Sequence, residues 1–195
     1  QRRKLRPKLK NSRPVLAPLP EPRSVNLGDG RAAVVRPAVA KDAAGWIKLL
    51  QDVAAEGRYI AVESVTVTRR TFAKHIRDWG WSSTAASIAA VEDDKVIGHV
   101  SLWRERGVYL HTAELGMSVA ATHRRLGVGT VLIEGAVDWA RAFDVEKLCL
   151  QVFPHNERAR ALYRKVGFVE EGLRTRHAKL SYGYEDLIQM SLWVS

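Results

Sequence analysis

The feature that most constrains the fold of this chain is a glycine-rich loop, residues 124–129 (Arg-Arg-Leu-Gly-Val-Gly), between a strand-like and a helix-like segment. Glycine lets the backbone come close to a ligand, and the start of a helix leaves N–H groups without intrahelical partners. These donors, the helix dipole and the two arginines favour binding of a pyrophosphate group. The sequence therefore predicts a ligand that contains a diphosphate.

Hydrophobic periodicity on both sides of the loop predicts alternating strands and helices. A strongly amphipathic helix begins at Val128, and other helices are predicted over residues 41–56, over residues 69–79, and from a cap at Asn156 to a stop at Gly167. Strands are predicted over residues 32–36, 86–92, 95–103, 110–120, 148–153, 168–180 and 184–193. This order predicts an α/β (α+β) fold in which helices pack on the faces of a mixed sheet.

The net charge of +10 is concentrated near the start of the chain. Residues 1–23 contain eight basic residues and one acidic residue, and five of the seven prolines lie within residues 1–29. We therefore expect a basic, proline-rich arm over residues 1–30 and one folded domain over residues 31–195. A basic arm of this kind is compatible with nucleic-acid binding, although a solvated extension is the preferred interpretation.

Composition excludes several other classes of protein. The longest apolar stretch is well short of the roughly 18 residues needed to cross a bilayer, and no secretory signal is recognisable, so we expect a cytoplasmic protein without membrane partners. A single cysteine, Cys149, rules out a disulfide framework. The six histidines show no metal-ligand spacing, and no metal site is predicted.

Three phosphate-binding motifs are compatible with a glycine loop followed by a helix. A P-loop requires lysine after its last glycine, but Gly129 is followed by Thr130. A dinucleotide-binding fingerprint requires a third small residue, but Leu132 stands at that position. The remaining pattern, Arg/Gln-x-x-Gly-x-Gly/Ala, is matched by Arg124, Gly127 and Gly129.

Together with two downstream segments, this loop resembles the GNAT superfamily of N-acetyltransferases. Residues 156–168 are similar to the N-x-x-A-x-x-L-Y-x-x-x-G-F segment of the family, and Tyr184-Glu185-Asp186 followed by Met190 is similar to the ending of many members. The resemblance covers roughly residues 31–195 and is nearest to the phosphinothricin and amino-acid acetyltransferase branch.

The resemblance implies a fold, a cosubstrate and a reaction. The GNAT fold is a mixed, mostly antiparallel sheet of about seven strands with about four helices on its faces. Its sheet is splayed where acetyl-coenzyme A (acetyl-CoA) binds, here between the strands that contain residues 117–120 and 148–153. The implied reaction is transfer of an acetyl group from acetyl-CoA to a primary amine, by direct attack in a ternary complex.

The resemblance also implies which residues contact acetyl-CoA. The backbone N–H groups of residues 125–129 would bind the pyrophosphate, and the β-strand before the loop would offer backbone groups to the pantetheine arm. For Asn156, a helix cap without cosubstrate contact is a slightly better interpretation. The predicted acetyl-CoA contacts are Met117, Ser118, Val119, Arg124, Arg125, Leu126, Gly127, Val128, Gly129, Thr130, Asn156 and Tyr163.

Two residues are predicted to be catalytic. Tyr163 matches the tyrosine of the family motif and would protonate the leaving thiolate, although the same residue also fits the apolar side of its helix. Glu114 interrupts a small, apolar strand, where an acidic residue is either functional or exposed at a sheet edge; as a functional group it would remove a proton from the attacking ammonium, directly or through a water.

The acceptor site is predicted to include Arg58, Tyr59 and Glu63, in the connection between the first two helices. Arg58 would pair with a substrate carboxylate, and Tyr59 would form a wall. A small amine, such as an amino acid, is the preferred acceptor. A protein N-terminus or lysine, and a non-catalytic acyl-CoA sensor, remain alternatives. Because many members of the family dimerise, a homodimer is also expected.

Overall fold

The structure is a computed structural model that describes residues 19–194, apart from the side chain of Trp79. Eight strands are found in this part of the chain: β1 (Arg23–Asn26), β2 (Ala32–Pro37), β3 (Ala85–Glu92), β4 (Lys95–Arg104), β5 (Thr112–Val119), β6 (Lys147–Val152), β7 (Val169–Leu180) and β8 (Gly183–Trp193). They form one sheet in the order β1-β2-β3-β4-β5-β6-β8-β7. Every neighbouring pair is antiparallel except β5 and β6, which confirms the predicted mixed, mostly antiparallel sheet.

Four α-helices cover the sheet within residues 19–194: α1 (Ala43–Ala55), α2 (Arg69–Trp79), α3 (Val128–Ala142) and α4 (Glu157–Lys165). Helix α1 packs on α2, β4 and β5, whereas α3 packs on β2 to β5. The apolar stripe of α3 is fully buried at Leu132, Ala136 and Trp139, as its periodicity predicts. None of these helices has the length and apolar character needed to cross a bilayer.

The eight strands agree with the predicted sheet of about seven, and the additional strand, β1, falls within the segment predicted to be an arm. Residues 23–26 pair with residues 32–35 along β2 and form an edge strand of the sheet. The backbone after Leu27 also contacts the glycine loop, since the Gly28 N–H donates to the Leu126 carbonyl at 3.2 Å. The folded part therefore begins before residue 31, and residues 1–18 of the predicted arm lie outside the described residues.

Local signals predicted most element ends correctly. The turn between β3 and β4 has positive φ at both Asp93 and Asp94, as a tight two-residue hairpin turn requires. The Asn156 side chain caps α4 by accepting a hydrogen bond from the Ala159 N–H at 3.2 Å. The first predicted helix is split, because residues 40–42 form one 3₁₀ turn before α1.

The sheet opens between β5 and β6. These strands are paired only from Thr112–Lys147 to Glu114–Cys149, and beyond Glu114 they separate. On the other side of the gap β6 stays paired with β8 as far as Val152. The predicted splay is therefore present, and it leaves the second half of β5 with an unpaired edge.

Candidate active site

A cavity of about 710 Å³ occupies the gap between β5 and β6. Side chains alternate between the two faces of a strand, and residues from both faces of β5 line the cavity, among them Gly116 and Met117. The glycine loop and α4 line one end of it, which we call the loop end. The other end, which we call the roof end, is lined by helix α1, the connection of residues 57–67, one face of β4 and Leu187 of β8.

The glycine loop has the geometry of an anion site. Gly127 precedes α3 with φ +91°, and a side chain there would point into open space. At Gly129 a Cβ atom would lie 2.7 Å from the end of the Leu162 side chain, so a larger residue would require Leu162 to move, and glycine favours the close approach of α3 and α4. The unpaired N–H groups of the first turn of α3 thus fit a pyrophosphate.

Arg124 has a different environment from the one predicted. Its guanidinium donates to both carboxylate oxygens of Glu56, at 2.5 and 2.7 Å, and its Nε donates to the Val119 carbonyl at 3.1 Å. The hydrogen bonds from Arg124 lower the pKa of Glu56. Arg124 therefore fastens the end of α1 to the glycine loop with its charge already paired.

The other predicted acetyl-CoA contacts are divided by position. Leu126 and Val128 pack against the core and are absent from the cavity wall, whereas the remaining nine residues, like Arg124, line the cavity. Arg125 is exposed at φ +67°. Two further cations, Arg158 and Lys165, line the loop end from α4 and were not predicted. The helical spacing of the sequence could have indicated them, because it places both residues on the same side of α4 as Leu162, facing the loop.

Tyr163 lies in the wall of the cavity and is 6% exposed. Burial raises the pKa of its hydroxyl to about 12, so the group is protonated at neutral pH. Within residues 19–194, no side chain or backbone group forms a hydrogen bond with this hydroxyl. The phenol is thus available to donate to a ligand atom.

Glu114 occupies the last position of β5 that is paired with β6. It lies opposite Trp103 on β4 and is not part of the cavity wall, although the neighbouring Leu115 and Gly116 are. Burial, reinforced by the negative charge of Glu105, raises the pKa of Glu114 above its ordinary value. The carboxyl group therefore lies beside the point at which β5 and β6 begin to separate.

The connection of residues 57–67 covers the roof end. Tyr59 lines the cavity, with the guanidinium groups of Arg58 and Arg124 at 5.3 and 4.8 Å from its ring centre. The Arg58 side chain is outside the cavity wall, and its carbonyl accepts a hydrogen bond from His155. Of the three predicted acceptor residues, the structure brings only Tyr59 to the cavity.

Glu63 does not line the cavity, and its side chain binds another part of the fold instead. Its carboxylate accepts hydrogen bonds from the Ser181 N–H at 2.8 Å and from the Ser181 hydroxyl at 2.5 Å. Both hydrogen bonds lower the pKa of Glu63. Since Ser181 lies at the turn between β7 and β8, this contact fastens the roof to the last hairpin.

One face of β4 contributes three cavity residues that sequence reasoning missed: His99, Ser101 and Trp103. They lie opposite Ser118, Gly116 and Glu114 on β5. His99 is buried beneath Trp46, with a ring separation of 4.9 Å, and its Nε2 has no hydrogen-bond partner in the described structure. The sequence could have indicated these three residues, because a polar or aromatic residue stands at every second position of an otherwise buried strand.

The comparisons with known proteins agree with this arrangement. Residues 49–168 match the family model described as "Acetyltransferase (GNAT) family". The chain is 31% identical over 132 residues to spermidine N(1)-acetyltransferase of Vibrio cholerae, covering 66% of this chain and 72% of the relative. It is 34% identical over 79 residues to the ribosomal protein bS18-alanine N-acetyltransferase of Salmonella typhimurium, covering 40% of this chain.

Coverage of the curated relatives is partial. The chain spans 53% of the Salmonella enzyme and 55% of YjcK, a probable N-acetyltransferase of Bacillus subtilis, so just over half the length of these relatives. The fold match is more extensive. The crystal structure of a GNAT-family acetyltransferase from Streptococcus pneumoniae superposes with a TM-score of 0.77 at 26% identity, covering 84% of this chain and 99% of the other.

Proposed function

From the family match over residues 49–168, the chain belongs to the acetyltransferase (GNAT) family, and we propose that it transfers an acetyl group from acetyl-CoA to the primary amine of a small molecule. The observation that carries this proposal is the continuous cavity from the glycine loop to a roof fastened on two sides, through Arg58 and Glu63. A covered acceptor end favours a small amine, whereas a protein chain needs an open groove.

The residues at the loop end fit acetyl-CoA by charge and by shape. The glycine loop offers N–H groups to a pyrophosphate, and Arg125, Arg158 and Lys165 add positive charge around it. The free edge of β5 at Ser118 and Val119 offers backbone groups to the pantetheine amides. Bound here, acetyl-CoA supplies a thioester that an amine can attack directly.

Two side chains then accept and donate the protons that move during acetyl transfer. The Glu114 carboxylate accepts a proton from the acceptor ammonium, through a water because Glu114 lies behind the cavity wall. The Tyr163 hydroxyl, protonated by virtue of its burial, donates to the sulfur that leaves. Trp46, Tyr59 and Trp103 exclude bulk water from the roof end.

The decisive experiment measures release of coenzyme A from acetyl-CoA with a panel of amines and with peptides that carry a free N-terminus. Tyr163→Phe should lower turnover by about a hundredfold, with the affinity for acetyl-CoA little changed. Tyr184→Phe, at an exposed tyrosine outside the cavity, is the matched control and should be as active as the wild type.

Three outcomes separate the alternatives. Turnover with a small amine supports the proposal, and turnover with peptides alone replaces it with a protein acceptor. Acetyl-CoA binding without turnover on either class of acceptor replaces it with a sensor. Background from Cys149 should be small in a thiol-reactive assay, because burial raises the pKa of this thiol to about 11.

A further inference from the structure

The roof end of the cavity differs from the loop end in charge. Among the described residues of the cavity wall, the charged side chains are Arg124, Arg125, Arg158 and Lys165, and none is acidic. All four lie on the glycine loop or on α4, which form the loop end. The wall of the roof end is therefore free of formal charge.

The two charged side chains nearest the roof end, Arg124 and Glu63, already have partners. Arg124 is paired with both carboxylate oxygens of Glu56, and the Glu63 carboxylate accepts two hydrogen bonds from Ser181. The Arg58 side chain lies outside the cavity wall. The wall of the roof end therefore offers no unpaired cation to a substrate carboxylate and no carboxylate to a second substrate ammonium.

What the roof end does present is aromatic and aliphatic. Trp46, Tyr59 and Trp103 line it together with Ile60 and Leu187. The Trp103 ring lies over Gly116 of β5, 3.5 Å from the position that a Cβ atom would take there, and the side chain remains 48% exposed. An indole in this position offers its face to a ligand beside the reacting end of the cavity.

The polar groups of this end are neutral. Burial lowers the pKa of His99 to about 3, so its imidazole is uncharged at neutral pH. Ser101 lies beside it on the same face of β4, with its Oγ 3.5 Å from the His99 Nδ1 atom. These groups tolerate an apolar ligand, whereas burying an unpaired charge among them would be costly.

We infer that the acceptor is a primary amine joined by a short chain to an apolar, aromatic body, with no carboxylate and no second ammonium. This inference rests on the proposed function and narrows it. It departs from the amino-acid acceptor expected from the sequence, and it makes Trp103 a residue that determines specificity. The reacting ammonium itself is the one charge that the site accommodates, because Glu114 takes its proton.

The test compares kcat/KM of the full chain for three amines. 2-Phenylethylamine and L-phenylalanine differ by a single carboxylate, and spermidine adds further ammonium groups. We expect kcat/KM for 2-phenylethylamine to exceed both others by about a hundredfold, which corresponds to an unpaired charge buried in an apolar site. A preference for L-phenylalanine or spermidine would overturn this inference and leave the proposed acetyl transfer intact, whereas no turnover of any amine would overturn both.

Two tryptophan variants test the role assigned to Trp103. Trp103→Ala should lower kcat/KM for 2-phenylethylamine by about tenfold, through loss of one aromatic contact. Trp193→Ala removes a tryptophan of similar exposure outside the cavity and should change kcat/KM less than about twofold. Acetyl-CoA affinity should be unchanged in both. Equal effects of the two substitutions would show that Trp103 does not contact the acceptor.

Discussion

Glu114 shows how one position in a sheet can tune a side chain for proton transfer. It is the last residue of β5 with a partner on β6, so the carboxyl is partly buried by the paired strands on one side and adjoins the open gap on the other. Burial and the nearby charge of Glu105 both disfavour the ionised form and raise the pKa of Glu114. A base with a raised pKa holds a transferred proton more readily.

The pH dependence of Glu114→Gln tests this role. Only the carboxylate accepts a proton, so wild-type kcat/KM should fall as the pH drops through a raised Glu114 pKa, above the ordinary value of 4.5. Glu114→Gln should lower the rate by about a hundredfold and remove this acidic limb. Glu105→Gln should retain the rate and move the limb to lower pH. An acidic limb that persists in Glu114→Gln would assign the base to another group.

Gly127 permits an equally direct test of the anion site. Gly127→Glu should weaken acetyl-CoA binding by at least about a hundredfold, because a carboxylate would occupy the open space beside the N–H donors and repel the pyrophosphate. Gly107→Glu is the control: Gly107 also has positive φ, at +67°, and open space around it, but lies outside the cavity. Isothermal titration with acetyl-CoA measures both. Equal affinities would exclude the loop as the pyrophosphate site.

At the scale of secondary-structure elements, the sequence predicts those elements that depend on local interactions and misses those that depend on pairing with distant residues. Helix α2 has the predicted ends, Arg69 and Trp79, because its cap and its apolar spacing are local. Strand β1 was missed because four residues among prolines give no local signal, and the strand exists only through pairing with β2. The 3₁₀ turn before α1 depends on Asp42, whose carboxylate pairs with Arg36 at 2.7 Å and accepts from the Val39 N–H.

The roof over the acceptor end is an element whose position depends on few contacts. Glu63→Ala should remove both hydrogen bonds to Ser181, loosen residues 57–67 and raise KM for the acceptor by about threefold, with acetyl-CoA affinity unchanged. Faster hydrogen exchange of the 57–67 amides should accompany the change in KM.

Ser181→Ala and the double variant that carries both Glu63→Ala and Ser181→Ala complete a double-mutant cycle. Ser181→Ala removes the hydroxyl but keeps the backbone N–H, so its effect should be smaller than that of Glu63→Ala. The double variant should behave like Glu63→Ala alone, because both substitutions disrupt the same contact. Additive effects on KM would mean that the two residues act on the acceptor site independently.

At the scale of the whole molecule, the two ends of the site were unequally predictable. The glycine loop and Tyr163 belong to contiguous motifs whose spacing is visible in the sequence. The roof end is assembled from α1, β4, β8 and the 57–67 connection, and which face of β4 it uses is set by strand pairing with β5. Arg58 and Glu63 show why: their sequence position places them in a segment that lines the cavity, but it does not indicate the direction of their side chains, which lie outside the cavity wall.

The burial of His99 should make the stability of the whole fold depend on pH. Its folded-state pKa is about 3 and its ordinary value is 6.5, so between these limits the unfolded chain binds a proton that the folded chain does not. The free energy of unfolding should therefore fall as the pH drops from 6.5 toward 3, with a contribution from His99 of up to about 1.4 kcal/mol per pH unit. Above pH 6.5 this contribution is complete and constant.

Replacing His99 by leucine isolates this contribution from that of the carboxyl groups. The leucine packs beside Trp46 and Phe72 without a proton to bind, so urea unfolding of His99→Leu should lose less stability than the wild type on acidification. The difference between the two free energies of unfolding should be flat above pH 7 and should change steadily below pH 6. His177→Leu, at an exposed histidine, is the control. Parallel curves for the wild type and His99→Leu would mean that the pKa of His99 is not lowered by folding, and the roof end of the cavity would then carry a positive charge below about pH 6.5.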